Sequence, residues 1–294
     1  MRMRILRLLG VLTGLVLAGQ PVALAHRQTG LDQHLGTTIG FQLYRDYLIV
    51  VQGSVGPLKG LNFLLDTGAN KSVLSPRLAA RLHLDAVPTG VAVLNGSVQG
   101  GIATAPSLQV GPIRRDNVRV LVEDLSFIQS ALPFRIDAIV GLDVLGQSAF
   151  VIDYSSREIR FGPAPSMPNS IPLQYKEGLA FVDAVVNHES VRLLLDTAAP
   201  SMVLFEELPD PKPGSKAGSP QPAPRSIGDF ERKQVRQISF RLGETEFGHT
   251  SAFVVPNHRD AGHDFDGMMS PIALGITSVA VDLGQGTLAF VRRP

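Results

Sequence analysis

One pattern is written twice in this chain, and that duplication limits the folds open to it. Residues 63–74 read FLLDTGANKSVL and residues 193–204 read LLLDTAAPSMVL. Their aspartates, Asp66 and Asp196, lie 130 residues apart (196 − 66). The surroundings repeat in the same order. Leu43 and Leu173 each precede their aspartate by 23 residues (66 − 43 and 196 − 173). Ser107–Gly111 is echoed by Ser239–Gly243. Asp153 follows Asp66 by 87 residues and Asp282 follows Asp196 by 86 (153 − 66 and 282 − 196). A self-similar period of this length implies two copies of one structural unit. The expected lobes are 37–163 and 171–294, joined by a linker at 164–170.

The texture within each copy favours strands. The chain has 29 Gly and 21 Pro in 294 residues, and they cut its Val, Ile and Leu into short runs. Tyr47–Val51 and Leu61–Leu65 read as strands. Ser75-Pro76 opens a short helix, with Ser at the N-cap and Pro at the first helical position. Gly90–Val110 reads as a hairpin whose glycine-rich tip is Asn95–Gly101. Asp137–Gly141 reads as a buried strand, with a brief helix from Leu142 capped by Asp143. A Pro-rich stretch, 209–224, reads as a flexible insertion in the second lobe.

Composition removes several function classes. Cysteine is absent, which rules out disulfides, thiol catalysis and Cys-ligated metal centres. Residues 1–25 read as a signal peptide, with Arg2, Arg4 and Arg7 before an apolar run and Ala23-Leu24-Ala25 as the cleavage pattern. The run is shorter than the roughly 20 residues of a membrane span. Residues 26–36 follow as a leader. Cleavage would take the net charge from +1 to −2 by removing three arginines, which gives no electrostatic footprint for nucleic acid. The chain is expected to be exported, to the periplasm or beyond, with no stable membrane span once the signal is cut.

An aspartate that follows three apolar strand residues is poorly solvated, and one such group alone would stay neutral. Two of them meeting across a pseudo-two-fold axis cannot both ionise easily, so the pair keeps one proton. One carboxyl is then a base and the other an acid at the same pH. That combination splits an amide with water and no covalent intermediate.

These segments resemble the active-site loops of retroviral-type and pepsin-like aspartic proteases. LLDTGA followed by SVL matches the loop, and Ile139-Val140-Gly141 resembles the apolar-apolar-Gly strand that packs behind it. The duplication within one chain resembles the pepsin arrangement; DTGA and the short lobes resemble the retroviral one. The resemblance implies a mainly β, bilobal acid-protease fold, with two pseudo-two-fold-related β lobes and short helices. It implies Asp66 and Asp196 as the catalytic dyad. Thr67, Gly68 and Ala69, with Thr197, Ala198 and Ala199, support the two loops. The flap falls on Asn95, Gly96, Ser97, Val98, Gln99 and Gly100, and its second-lobe counterpart on Ile227, Gly228, Asp229 and Phe230. The implied activity is an aspartic endopeptidase acting on extended peptide or protein segments, as a monomer, with no metal or cofactor.

Two positions depart from the pattern. Ala198 stands where the loop has Gly, and Ser270 stands where Gly141 stands in the first copy. Both motivate an alternative, a catalytically impaired peptide-binding module on the same scaffold. A glycosidase built on the two carboxylates is a poorer match, since such pairs sit at least about 5 Å apart without a shared loop pattern. Asp153 and Asp282 read as turn residues. His258, Asp260, His263, Asp264 and Asp266 show no recognised metal-ligand spacing and read as a solvated loop.

Overall fold

The computed structural model describes residues 36–93, 96–129, 132–163, 165–205, 234–255 and 264–293. Residues 1–25 expected as a signal peptide, residues 26–35 of the expected leader, the 209–224 stretch, Asn95, Ile227–Phe230 and His258, Asp260 and His263 lie outside the described residues.

The chain is mainly β and bilobal, with three sheets. Each lobe crosses its strands in the same way. In the first, Leu58–Leu65 runs parallel to Ala138–Val140, which runs antiparallel to Val73–Leu74, which runs parallel to Ile113–Val122. In the second, Glu189–Leu195, Gly267–Met269, Met202–Phe205 and Thr245–Val255 repeat those pairings and directions. A further pairing closes each lobe on itself, Gly53–Val55 against Leu108–Val110 and Val185–Val186 against Phe240–Arg241.

The apolar triplet before each aspartate has a packing reason. Phe63 and Leu65 enter a core that runs through both lobes, whereas Leu64 faces an outer cluster with Leu48, Val50, Val73 and Ile139. Leu193 and Leu195 enter the same central core. Leu194 faces the matching outer cluster of Leu179, Phe181, Val203 and Met268. A strand covered on both faces reads as a continuous apolar run. Each leucine so buried contributes about 1.5–3 kcal/mol.

Asp137 and Asp266 tie the start of each crossing. Asp137 accepts from the Asn62 N–H at 3.0 Å, and Asp266 accepts from the Arg192 N–H at 2.8 Å. Asp266 is therefore a structural strand brace and no part of a solvated loop. Asp264 is exposed and pairs with Lys176 and Arg192. Among the described residues no group of three His, Asp or Glu side chains is placed to hold a metal.

The lobes share a six-stranded sheet in which each contributes three strands. The first gives Thr38–Gly40, Phe150–Asp153 and Glu158–Phe161; the second gives Asn169–Pro172, Ile276–Asp282 and Thr287–Arg292. The halves join where Phe150–Asp153 pairs antiparallel with Ser278–Val281. Asp153 opens the turn at the end of its strand by accepting from the Ser155 and Ser156 N–H groups, and Asp282 accepts from that of Gln285. Both are turn residues, as their sequence context suggests.

Three further sequence-based expectations change. The hairpin arms are Val87–Val93 and Gly96–Val110, so Gly96–Gly100 lie on the second arm and not in its tip. Leu43 has no counterpart in Leu173. Gln42 faces Val50 and Gln174 faces Phe181, which makes Leu173 the equivalent of Phe41, and both are buried. The first lobe carries one more residue in the turn after Tyr44 and one more at a bulge near Gly60. Asp143 caps no helix: Gly141 is the N-cap of Leu142–Leu145, and the Asp143 side chain is buried against Ser72.

Candidate active site

Asp66 and Asp196 each sit one residue past the end of a parallel strand, at the mouth of the crossing. The Asp66 N–H donates to the Val140 carbonyl and the Asp196 N–H to the Met269 carbonyl, each at 3.0 Å. The chain then turns, and the N–H two residues on returns to the carboxylate. Gly68 donates to Asp66 Oδ1 at 2.7 Å and Ala198 to Asp196 Oδ1 at 2.8 Å. Two matching loops are thus built from matching bonds.

Reciprocal bonds lock the loops together across the pseudo-two-fold axis. The Thr67 N–H donates to Thr197 Oγ1 at 3.2 Å, and the Thr197 N–H donates to Thr67 Oγ1 at 3.0 Å. The Thr67 hydroxyl in turn donates to the Leu195 carbonyl at 2.8 Å. Both threonines are buried, so each bond replaces a desolvated orphan. This brace brings the carboxyls within hydrogen-bond reach of each other.

The two acids are held unequally. Asp66 is 3% exposed, whereas Asp196 is only half-buried. Burial, then the Asp196 charge, push the Asp66 carboxyl well above the usual carboxylate range. Burial raises Asp196 to about 6, against hydrogen bonds from Ala198, Ala199 and the Asp66 carboxyl that favour its ionised form. The two acids are coupled, both are raised first by burial, and the pair keeps a proton above the usual carboxylate range. Tyr47 and Tyr154 lie within electrostatic reach of Asp196, and both phenols are raised chiefly by burial.

Behind the first loop stands a polar brace that the sequence reading did not identify. The Ser72 hydroxyl donates to Asp143 Oδ1 at 2.7 Å and accepts from the Gly141 N–H at 3.2 Å. Burial raises the Asp143 carboxyl. The second lobe has Met202 at the position of Ser72 (196 + 6, as 66 + 6) and lacks this brace. The available signal was a serine inside one copy of the repeat facing an apolar residue in the other.

Ser270 in place of Gly141 is compensated. In the first lobe the Leu142 N–H donates to the Ala69 carbonyl at 2.8 Å, and a side chain on Gly141 would meet that carbonyl at 2.6 Å. In the second lobe the next residue is Pro271, which has no N–H. The Ser270 hydroxyl donates to the Ala199 carbonyl instead, at 2.7 Å. The substitution keeps the bond that holds the loop.

Neither Gly68 nor Ala198 has a left-handed backbone, so the alanine is not strained by its conformation. The space beside it is the sharper constraint. A methyl built on Gly68 would stand 2.9 Å from Asp196 Cγ and 3.1 Å from Asp66 Oδ1. Position 68 faces the opposing acid.

Residues 51–144 match the family model described as "Aspartyl protease". A search of curated proteins returns no match. Among solved structures, the crystal structure of basic 7S globulin from soybean is similar, with a TM-score of 0.49 and 14% sequence identity, over 87% of this chain and 94% of that one. The first lobe's strand crossing, its DTGA loop and the strand behind it all fall within the matched segment, so this part of the chain is similar to the aspartyl protease family.

Proposed function

We propose that the chain is an aspartic endopeptidase that cleaves extended peptide segments with a water activated between Asp66 and Asp196. The observation that carries this reading is the reciprocal threonine brace, which ties together the two loops that carry Asp66 and Asp196, one from each lobe. The family match over the first lobe supports it.

The chemistry follows from the unequal carboxyls. One acid, ionised, takes a proton from water as the water oxygen attacks the peptide carbonyl carbon. The other gives its proton to the carbonyl oxygen. The tetrahedral diol then loses the amine: the first acid hands its new proton to nitrogen, the C–N bond breaks, and a diol hydroxyl returns a proton to the second. The substrate is a peptide or protein. Both acids come from one chain, so a monomer suffices. The basic, apolar and small-residue order of residues 1–25 supports export. Among the described residues no helix is long and apolar enough to cross a membrane.

A second reading, binding of peptides without cleavage, is favoured by the methyl that Ala198 adds beside the dyad. One experiment separates the two. A peptide library incubated with the protein from acidic to neutral pH yields fragments under the peptidase reading, and Asp66→Asn and Asp196→Asn each abolish them while circular dichroism stays unchanged. Binding with no fragments at any pH leaves the second reading.

A further inference from the structure

We infer that Asp143 is a positioning residue for Asp66: through the Ser72 hydroxyl it sets the plane of the Val140–Gly141 peptide, whose carbonyl holds the Asp66 N–H. This rests on the peptidase reading for its catalytic meaning, while one arm of its test does not.

Every link is a hydrogen bond in the structure. The Asp66 N–H donates to the Val140 carbonyl at 3.0 Å. The N–H of that same peptide unit, on Gly141, donates to Ser72 Oγ at 3.2 Å. A peptide unit is planar, so fixing the direction of its N–H also fixes the direction of its carbonyl. Ser72 offers Gly141 a lone pair in a set direction because its own proton is committed to Asp143 Oδ1, at 2.7 Å. Both members of the pair are anchored to one strand, Ile113–Val122. The Leu121 N–H donates to the Ser72 carbonyl at 2.9 Å, and Arg115 Nη1 donates to the Asp143 carbonyl.

The two copies show that the pair is one device. Met202 stands at the position of Ser72. Ile272 stands at that of Asp143, two residues past Ser270 as Asp143 is two past Gly141. Hydroxyl and carboxyl are present together in one lobe and absent together in the other. The crossing itself does not need them, because the second lobe forms it with Met and Ile at these places. Nor is the acid an efficient stabiliser. Asp143 is buried, and its Oδ2 has no hydrogen-bond partner among the described residues. A buried carboxyl oxygen left unpaired costs free energy that an isoleucine would not. The pair's one local effect is on the peptide that holds Asp66. A tilt of that peptide moves the Asp66 backbone against Asp196, and misplacing a reacting group slows the chemical step.

The test uses the full chain with Ser72→Ala, Asp143→Leu, the double variant, Ser72→Thr and Asp143→Asn. On a cleaved peptide, Ser72→Ala and Asp143→Leu are each expected to lower kcat about 10-fold with KM within about twofold. The double variant is expected to lose no more than the worse single, because the two groups act in series. Ser72→Thr keeps the hydroxyl and Asp143→Asn keeps an acceptor oxygen, so both are expected to hold kcat within about threefold. The second arm needs no turnover. Amide hydrogen exchange, read by NMR, is expected to speed up about 10-fold at the Asp66 N–H in Asp143→Leu and Ser72→Ala, and to stay within about twofold at the Asp196 N–H. Should Asp143→Leu fail to fold, Ser72→Ala, which lacks only one hydroxyl, is read alone. An Asp66 N–H that exchanges at the unchanged rate, equal acceleration in both loops, or Asp143→Asn as damaging as Asp143→Leu overturns the inference. A chain that cleaves nothing yet shows exchange quickened at Asp66 alone loses the peptidase reading and keeps this positioning. A chain that cleaves with kcat unmoved in Ser72→Ala and Asp143→Leu does the reverse.

Discussion

The two aspartate-bearing loops perform the same backbone task with different atoms. In the first lobe the Ala69 carbonyl is held by the Leu142 N–H, and Gly141 must stay bare because any side chain would strike that carbonyl. In the second, Pro271 removes the N–H and Ser270 supplies a hydroxyl to the Ala199 carbonyl. The first lobe adds the Ser72–Asp143 brace; the second has Met202 there. What is common to both is the crossing, the strand-end bonds and the threonine exchange. Replacing one donor by another is tolerated when the acceptor keeps a partner, which is the general condition for a buried polar group. The difference teaches that fidelity to a motif is measured by the bonds kept rather than by the residues kept.

The largest test of that comparison attacks what the lobes share. Thr67→Ala strips the Leu195 carbonyl and the Thr197 N–H of their partners in a buried site, and a loss of about 3 kcal/mol in denaturant unfolding is expected. Thr197→Ala strips the Thr67 N–H, and a smaller loss is expected because one bond goes instead of two.

Next comes the charge at the shared centre. The native-state Asp196 titrates near 6 against 3.8 for the free side chain, so the folded chain binds more protons than the unfolded one between those values. Stability therefore falls as pH rises from about 4 to about 6, and this penalty is absent below that window. Asp196→Asn should flatten that slope and stabilise the chain at neutral pH. Chemical denaturation at several pH values checks both. The same directions set the activity profile. Under the peptidase reading cleavage needs the pair to hold one proton, so kcat/KM should rise as pH passes about 6 and fall only well above it, where the second proton leaves.

Two smaller tests exchange the lobes' solutions. Gly141→Ser forces a side chain against a carbonyl already occupied by Leu142, and a loss of about 2 kcal/mol is expected. Ser270→Ala leaves the Ala199 carbonyl without its donor, next to a proline that cannot replace it, and a loss of about 1 kcal/mol is expected. Equal costs for the two changes would mean that the loops are not held in different ways. Thermal melts read both.

Much of this was legible in the sequence, for a physical reason. The strand crossing must bury three consecutive apolar residues and then place one acid at its mouth, and that demand writes LLDT in both copies. Turn residues such as Asp153 and Asp282 repeat because a carboxylate satisfies the N–H groups of a tight turn. The helix from Pro76 begins at Ser75, whose hydroxyl accepts from the Leu78 N–H at 3.2 Å. The errors arose where one copy gained a residue without changing its chemistry. The extra residue after Tyr44 and the bulge near Gly60 slide Leu43 out of register with Leu173, and no local signal marks either. The Gly96–Gly100 run suggested a tip because glycine favours turns, but here it lies in a strand whose pairing is set by the whole hairpin. Compensations such as Ser270 with Pro271 are invisible until the acceptor they serve is placed beside them. The pairing of acids was inferable; their unequal exposure was not, because it is set by what packs around each carboxyl in three dimensions.

The account stands or falls on Asp66 and Asp196 acting as one unit. The direct measurement is kcat/KM on a cleaved peptide for Asp66→Asn, Asp196→Asn and the double variant. Groups that share a proton and a water fail together. Each single change is expected to cost about 10³-fold or more, and the double variant about the same as either single. Losses that multiply in the double variant, or wild-type cleavage with either acid replaced, would contradict it.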